Sequence, residues 1–110
     1  MDVSNFQKIV IQILEKYAQV YKSSESIETQ LIIDKVNNHF LLLKIGWEDL
    51  EQIYNTLMHF DIKENKIWNQ KNSTEELLDM DLFRLGVSKS DIVLGLQPPA
   101  YRKFTEFAVV

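Results

Sequence analysis

The sequence contains no cysteine, only three glycines and two prolines, and no long apolar run. Without cysteine, the chain forms neither disulfides nor thiolate metal sites, and it offers no Cys nucleophile. Three glycines are too few for a Gly-rich loop that cradles phosphates. The longest apolar run, Phe40–Leu43, is strand-sized, whereas a membrane-spanning helix needs ~20 residues. We therefore expect a domain with no membrane segment.

Positive charge is also in short supply. The chain has 12 Lys and Arg against 16 Asp and Glu, a net charge of −4 and a pI near 5.1. This balance opposes non-specific DNA binding, in which Lys and Arg displace phosphate counterions. Asp2 and Ser4 stand where a signal peptide would carry basic and apolar residues, so we expect a cytoplasmic location.

Length and composition are those of one globular domain. A chain of 110 residues supports a single core, so we expect one domain over residues 1–110. Its 45% apolar and 25% charged residues match the average for folded proteins and argue against disorder.

The N-terminal segment has the pattern of an amphipathic helix. Ser4 followed by Gln7 resembles a capping box, which predicts a helix start near Asn5. One apolar stripe follows at helical spacing and is expected to pack on a sheet: Phe6, Ile9, Val10, Ile13, Leu14, Tyr17 and Val20.

The segment Ile27–Gln70 predicts an antiparallel meander of four strands. Apolar and polar residues alternate from Ile27 to Asp34, whereas Phe40–Ile45 is nearly all apolar and predicts a strand covered on both faces. A long third strand is expected over Ile53–Lys63, although a helical start at Trp47–Gln52 stays open. Hairpin turns are expected at Lys35–Asn38 and at Glu64–Asn65. The fourth strand is expected over Lys66–Gln70.

The C-terminal third predicts short elements that cover the sheet. Ser73 and Glu76 form a second apparent capping box, which predicts a helix near residues 73–85. Ile92–Leu94 favours a further short strand, and the aromatic-rich tail Tyr101–Val110 is expected to dock on a folded surface. The predicted fold class is α+β, with an N-terminal helix on an antiparallel meander of four to five strands. The first and last strands of a four-stranded meander would be edges open to pairing.

Two residues offer a candidate for metal or catalytic chemistry. His59 and Asp61 lie two apart on a predicted strand, so their side chains share a face. A metal site needs a third ligand, and Glu28 or Asp34 serves only if the strand register brings it near. A small metal-dependent enzyme is therefore the weakest of three hypotheses. We therefore expect no catalytic, cofactor-binding or metal-binding residues, and we expect that the protein is not an enzyme.

Aromatic residues next to cations favour a binding role. Lys63, Lys66 and Lys71 cluster around the last hairpin with Trp68 between them, and Arg102 and Lys103 lie between Tyr101 and Phe104. Such groups serve protein interfaces or single-stranded nucleic acid. The candidate partner-binding residues are Trp47, His59, Asp61, Lys66, Trp68, Tyr101, Arg102, Lys103, Phe104 and Phe107.

A set of motifs runs along nearly the whole chain: Ile27–Leu31, Leu41–Leu43 with Gly46–Trp47, His59–Lys63, Lys66–Gln70, Thr74–Glu76, Asp91–Gly95, Pro98–Pro99 and Arg102–Val109. In kind and order these motifs resemble those of the XisI family, the fdxN element excision controlling factors of cyanobacteria. The turn Glu64–Asn65 and Gln97 are departures from the family's usual Asp-Gly and His.

The resemblance implies a genetic role and a set of partners. Such proteins are linked to programmed excision of a DNA element during heterocyst differentiation, as accessory factors in site-specific recombination. The implied partners are further copies of the chain, as a homo-oligomer, and an XisH-like protein that resembles restriction-type nucleases. Contact with DNA would then be indirect. The alternative is a DNA-binding accessory protein of the recombination complex.

Overall fold

The computed structural model describes residues 1–109 and has one long helix packed on a five-stranded sheet. The strands lie in sequence order; the first four are antiparallel and the last pair is parallel, so the sheet is mixed. No helix of the described residues has the length and apolar content needed to cross a membrane. The elements are α1 Val3–Val20, β1 Ile27–Asp34, β2 His39–Glu48, β3 Glu51–Lys63, β4 Lys66–Asn72, α2 Leu78–Arg84, β5 Ile92–Val93 and α3 Pro99–Arg102.

Helix α1 begins two residues earlier than the sequence predicted, at Val3. The carboxylate of Asp2 accepts a hydrogen bond from the backbone N–H of Asn5 at 2.9 Å, so Asp2 is the N-cap. The predicted Ser4–Gln7 capping box is therefore wrong. Gln7 instead donates to the side chain of Asn38 at 2.7 Å, which ties the helix to the turn between β1 and β2.

The apolar stripe of α1 forms one half of the core, as predicted, except that Val20 is exposed. Each large apolar side chain buried in this way contributes roughly 1.5–3 kcal/mol before its entropy loss is subtracted. The helix residues Phe6, Ile9, Val10, Ile13, Leu14 and Tyr17 belong to one cluster with Phe40, Leu42, Met58, Phe60, Ile62 and Ile67 of the sheet.

Strand β3 begins at Glu51, so the helical start left open at Trp47–Gln52 is wrong. The strand contains one extra residue: Leu42 pairs with Met58 and Leu43 with Thr56, which leaves Leu57 without a partner on β2. Such a bulge changes which residues face each side of the sheet.

Ser73 holds this bulge instead of capping a helix. Its backbone N–H donates to the carbonyl of Leu57 at 2.8 Å, and its hydroxyl donates to the carbonyl of Thr56 at 3.0 Å. The second predicted capping box is therefore wrong, and α2 begins only at Leu78, without a side-chain cap. Ser73 satisfies two backbone acceptors that the bulge frees from the strand ladder.

The predicted hairpin turns are confirmed. Asn38 ends the first turn at a φ of 61°, and Glu64 and Asn65 have φ values of 56° and 57°, which is the pattern of a type I′ turn. The expectation for a four-stranded meander, that the fourth strand is an open edge of the sheet, does not hold. In the structure β5 pairs with Ile67 and Trp68 of β4 and is itself the last strand. The tail docks on its own domain as expected, and only Val110 lies outside the described residues.

One buried carboxylate joins α2 to α1. Asp81 is only 6% exposed; its Oδ2 accepts a hydrogen bond from the hydroxyl of Tyr17, and its Oδ1 lies 3.2 Å from the Nζ of Lys16 and 3.2 Å from the Nη1 of Arg84. Burial, together with the hydrogen bond to Asp81, raises the pKa of Tyr17 well above its ordinary value. The hydroxyl therefore stays protonated and continues to donate.

Replacing Tyr17 by Phe is expected to lower the free energy of unfolding by about 1–3 kcal/mol, because a buried carboxylate oxygen loses its donor. Urea unfolding curves measure the change. Tyr21→Phe is the matched control, because its hydroxyl donates to Glu76 at 2.8 Å in a more exposed setting. A smaller loss is expected there; equal losses in the two variants would contradict this role for Asp81.

Candidate functional site

The sheet has two faces, and α1 packs on only one of them. Strand alternation and register place a second set of apolar side chains on the opposite side of β1, β2 and β3. We call this surface the open face; its members are Gln30, Ile32, Leu41, Leu43, Ile45, Trp47, Tyr54 and Thr56. Leu43 is buried, whereas Ile32, Trp47 and Tyr54 are 40%, 55% and 62% exposed.

The open face corrects one expectation about β2. The sequence predicted a strand covered on both sides, but Leu41 and Ile45 are only half-buried on the open face, whereas Phe40 and Leu42 are fully buried against α1. The eight positions of the open face carry no charged side chain; the carboxylates on the same side of the sheet lie at its ends, Glu28 opposite Ile45, and Asp34 and Asp61 on either side of His39. A flat, uncharged apolar surface with exposed aromatic residues is typical of the centre of a protein interface.

Three polar side chains meet at one end of the open face. The Nδ1 of His39 and the Nε2 of His59 each lie 2.7 Å from the same Oδ1 of Asp61. We call these three residues the His–Asp–His cluster. The atoms through which these side chains could bind a metal lie within 4.8 Å of one another. The two imidazole rings meet edge to face, with their centroids 6.4 Å apart. The third residue that the sequence could not supply is thus His39, on the neighbouring strand.

Two bulges position the cluster. The extra residue Leu57 shifts the β2–β3 register by one, so that His39 lies opposite Asp61 on the same face. In β4, Gln70 is left without a partner between Asn69 and Lys71, and its Nε2 donates to the Oδ2 of Asp61 at 3.1 Å. Bulges that redirect side chains in this way are common beside functional sites.

The cluster has a defined electrostatic character. Burial raises the pKa of Asp61, but the hydrogen bonds from His39, His59 and Gln70 together outweigh that effect and lower its pKa below the ordinary value. Asp61 is therefore an ionised acceptor at neutral pH. Because both imidazole nitrogens point at one carboxylate oxygen, each ring donates an N–H to it.

A hollow of about 620 Å³ adjoins the cluster beside the C-terminal end of β4. His59 and Gln70 form one side of it, and Tyr54, Thr56 and Lys71 are among the residues of the other sides. The hollow gives a small solute a path from solvent to His59.

The remaining candidates on β4 and α3 divide into buried and exposed residues. Trp68 is buried, with Arg102 5.3 Å and Lys63 4.0 Å from its ring. Arg102 is also buried and donates to backbone carbonyls of Leu94, Gly95 and Gln97, and Lys66 donates to the carbonyl of Ser90. These cations serve the fold of this chain.

The tail residues differ from one another. Tyr101 and Phe104 are 60% and 77% exposed, and the Nζ of the exposed Lys103 lies 5.3 Å from the Phe104 ring. Phe107 stacks on Phe83 of α2 at 6.1 Å. Tyr101, Lys103 and Phe104 therefore form a second exposed aromatic surface, which we call the α3 knob.

These features define a small α+β domain whose exposed chemistry consists of an apolar sheet face, an aromatic knob and one imidazole–carboxylate cluster. A family model described as XisI protein matches residues 1–109, and the chain belongs to the XisI family, as the sequence motifs indicated. No curated protein matches the chain significantly.

Two solved structures from Anabaena variabilis ATCC 29413 are similar along nearly the whole chain. An XisI-like protein is 41% identical over 96% of this chain and 96% of its own, with a TM-score of 0.92. The fdxN element excision controlling factor XisI is 27% identical over 97% of both chains, with a TM-score of 0.88. The fold is therefore that of XisI-like proteins.

The lowered pKa of Asp61 predicts a pH-dependent contribution to stability. An ionised group whose pKa falls on folding stabilises the chain above its ordinary pKa, about 3.9 for Asp, and this contribution is lost as the pH falls through the folded-state value. Asp61→Asn is therefore expected to lower the free energy of unfolding at neutral pH. The difference from the unmodified chain should shrink towards zero in strong acid.

Urea unfolding at a series of pH values measures this difference. Glu51→Gln is the control, because it removes an exposed carboxylate from the same strand but outside the cluster. A loss in Asp61→Asn that stays constant from neutral to acid pH would contradict the role of the ionised carboxylate.

Proposed function

We propose that the protein is a non-enzymatic controlling factor for excision of a DNA element, and that it acts through protein–protein contacts. The family membership and the relative named as an fdxN element excision controlling factor support the excision role. The proposed contacts are with a second copy of the chain and with an XisH-like protein. Because such a factor works beside DNA and its recombinase, the proposal includes a cytoplasmic location.

The uncharged open face is the observation that carries the proposal. Three strands over the seven residues from Leu41 to Trp47 span about 14 by 23 Å, or about 320 Å² of sheet. That area fits the apolar centre of a standard interface, which covers ~800 Å² per partner including its polar rim. Glu28 and the His–Asp–His cluster lie at opposite ends and supply the rim.

A second copy is the occupant that fits this face best. Copies with a net charge of −4 repel one another, so they associate most favourably where charge is absent. A two-fold axis through the centre of the face, near Leu43, would pack each apolar sheet on its equivalent about 10 Å away. Tyr54 and Trp47 would then be buried, and large aromatic residues contribute most at such contacts.

Trp47→Glu and Tyr54→Glu are expected to convert a dimer into a monomer, because each places a charge within the apolar part of the proposed interface. Sedimentation equilibrium over a range of protein concentrations measures the change. Leu50→Glu is the matched control, since Leu50 lies in the β2–β3 turn, is 97% exposed and is outside the open face. A monomeric unmodified chain, or a dimer that survives both substitutions, would contradict the proposal.

The α3 knob is proposed as the contact for the XisH-like partner. Tyr101 and Phe104 are exposed aromatic residues outside the open face, so a partner could bind them while two copies associate through their sheets. The knob is rigidly based, because Arg102 between them is fixed by three backbone carbonyls. An exposed aromatic pair on a rigid base is a favourable anchor for a partner.

Phe104→Glu is expected to weaken capture of a purified XisH-like protein by at least about tenfold while leaving self-association unchanged. Surface-plasmon resonance with the immobilised partner measures binding. Leu77→Glu is the control, because Leu77 is exposed to a similar degree at the start of α2. Undiminished binding by Phe104→Glu would exclude the knob, and absence of binding by the unmodified chain would exclude this partner.

Direct DNA contact is the alternative that the sequence left open, and we do not favour it. Arg102 and Lys66 donate to backbone carbonyls, and Lys63 lies over Trp68, so each is engaged within the fold. The net charge of −4 opposes the phosphate contacts that non-specific binding requires. Protein contacts explain the exposed aromatic residues without these costs.

A further inference from the structure

We propose that the His–Asp–His cluster binds one divalent transition-metal ion of the zinc type. The Nδ1 of His39, the Nε2 of His59 and the Oδ1 of Asp61 lie within 4.8 Å of one another. Two imidazoles and one carboxylate are a common ligand set for Zn²⁺ and its neighbours, whereas Mg²⁺ and Ca²⁺ prefer oxygen alone. This inference is independent of the protein contacts proposed above.

The geometry of the cluster is close to that of a metal site. Ligand atoms bound tetrahedrally to one Zn²⁺ at 2.0–2.2 Å lie about 3.3–3.6 Å apart. The two His–Asp contacts are 2.7 Å long, and all three ligand atoms lie within 4.8 Å of one another. The two contacts must therefore lengthen by somewhat less than an ångström as the two imidazole nitrogens turn towards the ion. Both rings have room for this shift, because the side chains of His39 and His59 are 53% and 30% exposed.

Metal binding also requires a change of tautomer in the two rings. In the hydrogen-bonded cluster, His39 donates its Nδ1–H and His59 its Nε2–H to the same carboxylate oxygen. In the metal complex each proton moves to the other nitrogen of its ring, and the freed lone pair binds the ion. The ionised carboxylate of Asp61 supplies one of the two negative charges that would balance a divalent cation.

The surroundings of Asp61 orient it for this role. Gln70, the unpaired residue of the β4 bulge, donates to the Oδ2 of Asp61 and so leaves Oδ1 directed at the two imidazoles. The side chain of Gln70 is itself confined, because it packs directly against Gly95. The contact is so close that a Cβ added at Gly95 would lie only 2.2 Å from the Gln70 Oε1. Metal ligands are usually held by such a second hydrogen bond.

The next carboxylate along the sheet, Asp34, is committed elsewhere. It lies opposite His39 on β1, but its Oδ1 accepts from the backbone N–H groups of Val36 and Asn37, and its Oδ2 accepts from the Asn37 side chain. The chain thus supplies three ligands. The remaining positions face solvent and the hollow beside His59, where water or one further group completes the coordination.

Isothermal titration of the untagged chain with Zn²⁺ tests the proposal, and Co²⁺ provides an absorption spectrum that reports the ligands. We expect one ion per chain and a rise in unfolding temperature when Zn²⁺ is added. His39→Gln and His59→Gln should each weaken binding more than about 100-fold, and Gln70→Ala about tenfold, since it removes only the orienting hydrogen bond. Glu51→Gln is the control and should bind as the unmodified chain does.

Three results would overturn the proposal. They are the absence of Zn²⁺ uptake by the folded chain, uptake that persists unchanged in His59→Gln, and a Co²⁺ spectrum that is the same with and without His39. Far-ultraviolet circular dichroism checks that each variant is folded. Gln70→Ala keeps all three ligands, so its smaller loss of Zn²⁺ affinity separates a metal site from a merely structural hydrogen-bond network. Sedimentation of the same variants without metal shows whether self-association is affected separately.

Discussion

The architecture depends on one extra residue in the third strand. Because Leu57 has no partner on β2, the register shifts by one between Leu43 and Leu42, and Met58 then joins the core while His59 faces the other side. A strand without the bulge would put His39 opposite Phe60 and would separate the His39 imidazole from the carboxylate of Asp61. The same shift places Met58, Phe60 and Ile62 in the core with the apolar stripe of α1. Core and candidate site are therefore consequences of a single local irregularity, stabilised by the two hydrogen bonds from Ser73.

Regular features of the fold were predictable from the sequence because they depend on short-range periodicity. The helical stripe from Phe6 to Tyr17, the alternation of β1 and the Glu64–Asn65 turn each repeat a pattern that only one backbone geometry satisfies. Helix caps were not predictable in the same way, because several polar residues compete for the same backbone groups. Ser73 fits a capping box by spacing, but the free carbonyls of the bulge are the acceptors it uses.

The candidate site shows why long-range geometry escapes a single sequence. His59 and Asp61 are two apart and were recognisable as neighbours on one face, whereas His39 is 22 residues from Asp61 and meets it only through register. Counting back from the β2–β3 turn would have paired His39 with Phe60, because the bulge shifts the register by one residue partway along the hairpin. The sequence of β3 contains one clue: its apolar residues stop alternating cleanly between Leu57 and Met58, which is where the extra residue lies. Burial was equally hard to predict for Trp68, because the guanidinium that covers it comes from the far end of the chain.

The open face and the His–Asp–His cluster lie on the same side of the sheet, and this arrangement constrains how they can work together. A second copy packed on the apolar centre would bring its own sheet about 10 Å away, too far for the two clusters' ligands to share one ion but close enough to limit solvent at the rim. The cluster lies at the His39 end of β2, away from Trp47 at the other end, so a two-fold axis near Leu43 would place the two clusters at opposite margins of the interface. The hollow beside His59 shares Tyr54 and Thr56 with the open face and would be partly covered, so each cluster would be reached at the margin, where the side chain of His39 is 53% exposed. Self-association and metal binding are thus compatible on one face, because its apolar and polar parts are separated along the strands.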